Sequence, residues 1–148
     1  MSQIIWDVMS KKNDIEVRTL ELALSQTRNR CLTLKDKITS VDSYIQEYSD
    51  ILMPVDGKSI SIDQQRNTIA FIGQLVDAKE KLCVAYDEFS LKSEALRAEI
   101  LGVHMQGMKY RKIAELQSNE ARIELEVQER KLDDELFLAK FASRKHTL

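Results

Sequence analysis

The hydrophobic positions of the N-terminal third form a regular seam, by which we mean a narrow apolar stripe along one side of a helix. Between Val17 and Leu52 the seam positions are separated by alternating steps of three and four residues, with a mean of 3.5. A period of 3.5 is that of a left-handed coiled coil, in which the seam is buried against another helix. The pattern therefore predicts a long helix that needs a helical partner. The seam positions are Val17, Leu20, Leu24, Thr27, Cys31, Leu34, Ile38, Val41, Ile45, Tyr48 and Leu52.

Helix-breaking residues are concentrated immediately after this seam. The 148 residues include only four Gly and one Pro, and Pro54 and Gly57 both lie in the segment MPVDGKS. Because Pro cannot continue a helix without losing a hydrogen bond, we predict a first helix over about residues 3–53 and a loop over 54–61. Ser61 and Gln64 have capping-box spacing. The second helix is therefore predicted to begin near residue 62 and to continue to about residue 142.

Two long helices joined by a short loop must run antiparallel. A turn centred near Gly57 to Ser59 places residue i of the first helix opposite roughly residue 117 − i of the second. The predicted fold class is all-α: one domain over residues 1–148, a long two-helix antiparallel coiled-coil hairpin with an overhanging C-terminal helix. The second seam contains Phe71, Leu75, Ala78, Leu82, Ala85, Phe89, Leu96, Ile100, Val103 and Tyr110.

The overhang is the part of the second helix that the first cannot reach, about residues 116–148. It still carries Leu and Phe residues, and exposed apolar stripes of this kind mark interfaces. We therefore expect another protein to cover it. Its run from Glu120 to Glu135 contains seven acidic and three basic residues, a local net charge of −4. This run is either a solvated face or a surface that complements a basic partner.

Charge and motifs exclude several classes of protein. The formal net charge is −2, so no overall positive field attracts nucleic acid. No apolar stretch approaches the roughly 18 residues of a membrane span, which favours a cytoplasmic protein without membrane insertion. The sequence lacks a P-loop, a nucleophile elbow and an HExxH motif, and His104 has no second ligand at metal-site spacing. We expect a non-enzymatic binding protein without a cofactor or metal.

Four segments, taken in order, resemble the flagellar FliJ family and its type III secretion counterparts. They are YIQEYSDIL at 44–52, GKSIS at 57–61, IAFIGQLVDAKEKL at 69–82 and ERKLDDELFLAKFASRK at 129–145. The resemblance implies a non-enzymatic stalk protein of an export apparatus. One end of the coiled coil would enter the pore of a hexameric export ATPase, and the other would reach the cytoplasmic domain of the export gate. It further implies a cytoplasmic protein held at the inner-membrane apparatus, which also escorts export chaperones.

Two sets of partner-binding residues follow from this resemblance and from the overhang. The gate set matches the family pattern at its first three positions, whereas its fourth position, Leu82, is polar in the flagellar family. The same four residues also fit the hairpin seam, so interface and core both remain open for them. The gate set is Phe71, Leu75, Ala78 and Leu82, and the ATPase set in the overhang is Leu132, Leu136, Phe137, Phe141, Lys140 and Arg144.

A second function class is also compatible with the pattern. A generic coiled-coil adaptor or a prefoldin-like hairpin chaperone would hold clients with exposed helix tips. Such a chaperone needs arms of nearly equal length, whereas pairing of residue i with residue 117 − i leaves about 33 residues of the second helix uncovered. The unequal arms favour the stalk.

Overall fold

The fold is all-α, and the computed structural model describes residues 2–53 and 60–146. Helix α1 spans Ser2–Leu52 and helix α2 spans Ile62–His146. Helix α2 continues past residue 142, because FASRKH contains no residue that breaks a helix. The backbone N–H of Gln64 donates to the Ser61 hydroxyl at 3.2 Å, as a helix N-cap requires. The predicted loop residues 54–59 lie outside the described residues.

The contacts between the helices fall into two units, each made from a part of α1 and a part of α2. The first unit comprises Met1–Val17 and Gly102–Leu148, and the second comprises Arg18–Leu101. In each unit, contacts made by later residues of α1 involve earlier residues of α2, so the helices are antiparallel as predicted. Five contacting pairs lie within four residues of the predicted pairing: Trp6 with Tyr110, Asn13 with Val103, Arg30 with Phe89, Asp42 with Lys79, and Tyr48 with Phe71. The long side chain of Arg111 reaches Asp14, eight residues from that pairing.

The predicted α1 seam is confirmed in full. All eleven seam residues are buried or half-buried, whereas Leu22 and Leu32, which lie off the seam, are more than 60% exposed. Thr27, which is only 5% exposed, satisfies its hydroxyl by donating to the Ala23 carbonyl at 2.8 Å. A polar residue is therefore tolerated in the seam when its own helix provides the hydrogen-bond partner.

The α2 seam differs from the prediction at two residues of the second unit. Phe71 is 39% exposed. Ala78 is exposed, and Lys79 is half-buried in its place. Lys can take a seam position because its aliphatic stem packs on apolar surface while its ammonium reaches water or a carboxylate. The Lys79 ammonium lies 2.6 Å from the Asp42 carboxylate of α1. This hydrogen bond and the charge of Asp42 raise the pKa of Lys79 above its ordinary value.

A polar contact holds the helices of the first unit together. Asn13 is only 6% exposed, and its side-chain amide donates to the Val103 carbonyl at 2.9 Å. Gly107 lies against the same side chain, and a Cβ added at Gly107 would come within 2.9 Å of Asn13 Cγ. The absence of a side chain at Gly107 is what allows Asn13 to lie between the helices. Gly73 and Gly102, by contrast, have nothing within 4 Å of an added Cβ.

The overhang is confirmed and begins close to the predicted residue. Gln117 is the last half-buried residue of α2, and every side chain from Ser118 to Lys145 is exposed. Within the first unit, α2 thus continues well beyond the residues that α1 covers.

The seam register can be tested with two leucines of α1 that are two residues apart. Leu34→Asp places a charge in the half-buried seam, and we expect it to lower the free energy of unfolding by about 2 kcal/mol or more. Leu32→Asp carries the same helix-propensity cost at an exposed position, and we expect a loss below about 1 kcal/mol. Urea unfolding followed by circular dichroism measures both. Equal losses would contradict the register.

The contact at Gly107 predicts opposite effects for one substitution at two glycines. Gly102→Ala should raise the free energy of unfolding by about 1 kcal/mol, since Ala is favoured over Gly within a helix. Gly107→Ala should lower it, because the new methyl group overlaps Asn13 and overpacking typically costs about 1–3 kcal/mol. Thermal unfolding of both variants gives the comparison.

A double-mutant cycle completes this test. Asn13→Ala removes the side chain that the methyl group of Gly107→Ala would overlap. The free energy of unfolding of the double variant should therefore be about 1 kcal/mol higher than the sum of the two single changes predicts. Additive effects would show that the two residues do not contact each other.

Candidate functional site

The gate set lies in the second unit, and its four residues do not share one environment. Leu75 and Leu82 are half-buried in the seam, whereas Ala78 is exposed. Phe71 is 39% exposed, and its ring meets the Tyr48 ring edge-on with the ring centroids 4.8 Å apart. Edge-to-face pairs of this kind contribute about 0.5–1.5 kcal/mol beyond their area burial. The gate set is therefore partly core and partly free surface.

The ATPase set lies in the overhang of the first unit. Its four apolar members are all exposed by more than half, and Phe137 is the most exposed of them at 68%. At 100° per residue, Phe137 and Phe141 lie on one side of α2, and Leu132 and Leu136 lie on a side roughly 140° away. A helix with two apolar sides can be covered only by a partner that contacts both of them.

Cations surround the two phenylalanines of this set. Phe137, Lys140, Phe141 and Arg144 line a shallow depression of about 190 Å³. The Lys145 ammonium lies 5.4 Å from the centroid of the Phe141 ring, within the range of a cation–π interaction. The structure thus brings Phe137, Phe141, Lys140 and Arg144 together, whereas Leu132 and Leu136 lie outside this depression. The depression suits an apolar group flanked by an acidic one.

One apolar stripe of the overhang continues back along the covered part of α2 to Met108 and Met105, which the sequence pattern did not assign to a surface. We call it the back stripe, because at 100° per residue it lies roughly 170° around α2 from the residues that pack on α1. Its members are separated by 3, 8, 7, 4, 10 and 4 residues, each close to a whole number of turns of 3.6 residues, the period of a straight helix. A search for that period on the side away from the seam would have found it. The exposed apolar members are Met105, Met108, Leu116, Ile123, Val127, Phe137 and Phe141.

Neither a metal site nor a membrane span emerges from the part of the chain that the structure describes. Within residues 2–53 and 60–146, no three side chains among His, Cys, Asp and Glu are grouped so that they could hold a metal ion. Within the same ranges, neither α1 nor α2 has a stretch that is long and apolar enough to cross a membrane.

Comparison with known proteins gives a family. The model of the flagellar FliJ protein family matches residues 13–146. No curated protein and no solved structure matches the chain significantly. The family match includes all residues of the gate set and of the ATPase set, and it covers α1 from Asn13 onward and the whole of α2. The chain therefore belongs to the flagellar FliJ protein family, which associates it with the flagellar export apparatus.

Proposed function

We propose that this protein is the non-enzymatic central stalk of a flagellar export apparatus, linking the hexameric export ATPase to the cytoplasmic domain of the export gate. The observation that carries the proposal is the overhang, a helical extension whose large apolar side chains are exposed from Ser118 onward. An exposed stripe of this size needs a partner. The protein would act in the cytoplasm, peripherally associated with the inner-membrane apparatus, and would also escort export chaperones.

The two apolar sides of the overhang favour a ring as the partner. A single partner helix would cover either the side of Leu132 and Leu136 or the side of Phe137 and Phe141. A pore surrounds a helix and contacts every side of it. Lys140 and Arg144 would then provide polar contacts near the end of the inserted helix, where a cationic rim can select acidic groups in the ring.

The gate set supports the second partner through its exposed members. Phe71 and Ala78 offer free surface, and Leu75 and Leu82 anchor that surface to the hairpin. Binding energy at protein interfaces is concentrated in a few aromatic and other large residues. We therefore assign the main contact with the gate to Phe71, which Tyr48 holds in place.

The alternative of a prefoldin-like hairpin chaperone or generic adaptor is less well supported. A chaperone of that kind needs two arms of similar length. In the first unit, α2 continues from Ser118 to His146 beyond the residues that contact α1. This asymmetry suits a stalk with one inserted helix.

The role of the overhang is tested by removing its apolar side chains. Phe137→Ser combined with Phe141→Ser should weaken binding to the purified export ATPase by at least about tenfold, since each loss at an interface centre costs about 2 kcal/mol. Deletion of residues 129–148 should abolish binding and the stimulation of ATP hydrolysis. Both variants should keep the thermal transition of the hairpin, because the seam is untouched.

The matched control for this experiment is Ile4→Ser combined with Ile5→Ser. These two residues are also large, apolar and more than half exposed, but they lie on α1. This control should bind the ATPase as the wild type does. If the control and the tail variant lose binding equally, or if the truncated chain still stimulates the ATPase, the stalk model in this orientation is wrong.

The gate contact is tested at Ala78, because this residue is exposed whereas Leu75 and Leu82 also belong to the seam. Ala78→Asp should weaken binding to the gate domain by about tenfold or more and impair secretion, because a charge desolvated at an interface is costly. The melting temperature should change little. Phe71→Ala with Leu75→Ala should also impair secretion, together with a lower melting temperature.

Ala70→Asp is the control for the gate experiment. Ala70 is exposed on another side of α2, close to the gate set along the helix. Ala70→Asp therefore adds the same charge without changing the surface of the gate set. It should leave secretion intact, and ATPase binding should survive in both Asp variants. If Ala78→Asp leaves binding to the gate domain unchanged, or if Ala70→Asp weakens that binding equally, the gate set has a role in the hairpin core alone.

A further inference from the structure

A depression between the two helices of the second unit is lined by cations and hydroxyl groups that neither proposed partner uses. It encloses about 300 Å³, and its lining includes three cationic side chains and three hydroxyl groups but no carboxylate. Its composition is therefore that of a site for an anion. The cations are Arg28, Lys35 and Arg97, and the hydroxyl groups are those of Tyr86, Ser90 and Ser93.

The antiparallel helices bring the three cations toward one another. A helical side chain lies over the turn that precedes its own Cα atom. Lys35 on α1 and Arg97 on α2 therefore lean toward each other, because the two helices run in opposite directions. The contact of Arg30 with the Phe89 ring fixes the pairing at this level, and it places Arg28 between the other two cations along the hairpin.

These cations have no anionic partner within the hairpin. Over residues 2–53 and 60–146, no ion pair and no hydrogen bond involves Arg28, Lys35 or Arg97. Lys79, closer to the loop, does have a partner in Asp42. Like charges that share a depression without a counter-charge repel each other. An anion bound among them would relieve that repulsion.

Ser93 provides a second observation that points to a ligand. It is only 8% exposed, and its hydroxyl makes no hydrogen bond with any residue that the structure describes. Buried hydroxyl groups normally find a partner, as Thr27 does at the Ala23 carbonyl. Because Ser93 lines the depression, its hydroxyl is available to a group that binds there.

The acidic residues around the depression restrict the size of the anion. Asp36, Asp87 and Glu94 each follow directly after a lining residue, and Glu21 lies two turns before Arg28 on the same side of α1. The positive potential is therefore confined to the depression. Nucleic acid, an anionic membrane or a long acidic helix would also meet these carboxylates, whereas a small anion would not.

We propose that this depression, which we call the anion site, binds a small oxyanion of the phosphate class, either free phosphate or the phosphate end of a nucleotide. Guanidinium groups such as those of Arg28 and Arg97 match two phosphate oxygens at a time. Lys35 adds a point charge, and the Ser93 hydroxyl donates a hydrogen bond. The inference goes beyond the proposed function and does not rest on it, because the anion site shares no residue with the gate set or the ATPase set.

NMR chemical-shift titration of the full chain with inorganic phosphate, and separately with ADP, at constant ionic strength tests the proposal. The amide signals of Ser93 and Arg97 should shift and saturate. R28Q/R97Q should bind at least about tenfold more weakly, because two charge-assisted contacts are lost. Ser93→Ala should bind about threefold more weakly. Tighter binding of ADP than of phosphate identifies a nucleotide as the source, and equal binding identifies free phosphate.

The matched control is K37Q/K92Q, which removes two positive charges from exposed positions on other sides of the same helices. It should bind as the wild type does. Without an anion, R28Q/R97Q and Ser93→Ala should melt no lower than the wild type, because they remove a repulsion and an unpaired hydroxyl. Three results would each overturn the proposal: no saturable shift with either anion, binding by R28Q/R97Q that equals the wild type, or an equal loss in K37Q/K92Q.

Discussion

Burial of one narrow stripe between α1 and α2 is the constraint on which the rest of this molecule depends. Each seam position contributes a small apolar area. Among the described residues, Val17 is the only hydrophobic residue that is buried, and the other hydrophobic residues of the α1 seam are half-buried. Stability must therefore accumulate over many half-buried contacts. A fold of this kind has little interior volume, so apolar side chains that lie off the seam remain on exposed helix surfaces. The candidate surfaces found on α2 are the result of that limitation.

Hydrophobic periodicity was sufficient to predict the whole α1 seam, and the helix-breaking and capping residues between the helices predicted the start of α2 and the antiparallel pairing. Periodicity did not predict the positions at which a polar residue lies between the helices because of a contact with the opposite helix. Asn13 lies between the helices because Gly107 leaves space and Val103 accepts its hydrogen bond. Lys79 replaces Ala78 because Asp42 lies across from it. Such choices depend on both helices together, and a pattern read along one helix does not contain them.

The candidate surfaces were predictable to different degrees for the same reason. The ATPase set was found because it lies where pairing with α1 ends, and exposure there follows from the lengths of the helices. The back stripe lies on the side of α2 away from α1, so its residues at Met105 and Met108 do not enter the pairing of the two seams. The gate set was ambiguous in the sequence and is composite in the structure. Since Tyr48 supports Phe71, a change in seam packing at this turn also changes a surface available to a partner.

The contact between Asn13 and Gly107 has a consequence for how the chain folds. Coiled-coil helices that repeat every seven residues can pair one heptad out of register at a modest loss of contact area. Such a slip would place Asn13 against Ile100 or Ala114 instead of Gly107. The bulkier residue would strike the buried amide or deprive it of its carbonyl partner, and an unsatisfied buried polar group costs about 1–3 kcal/mol. One asparagine and one glycine thereby disfavour misaligned hairpins that the apolar residues alone would tolerate.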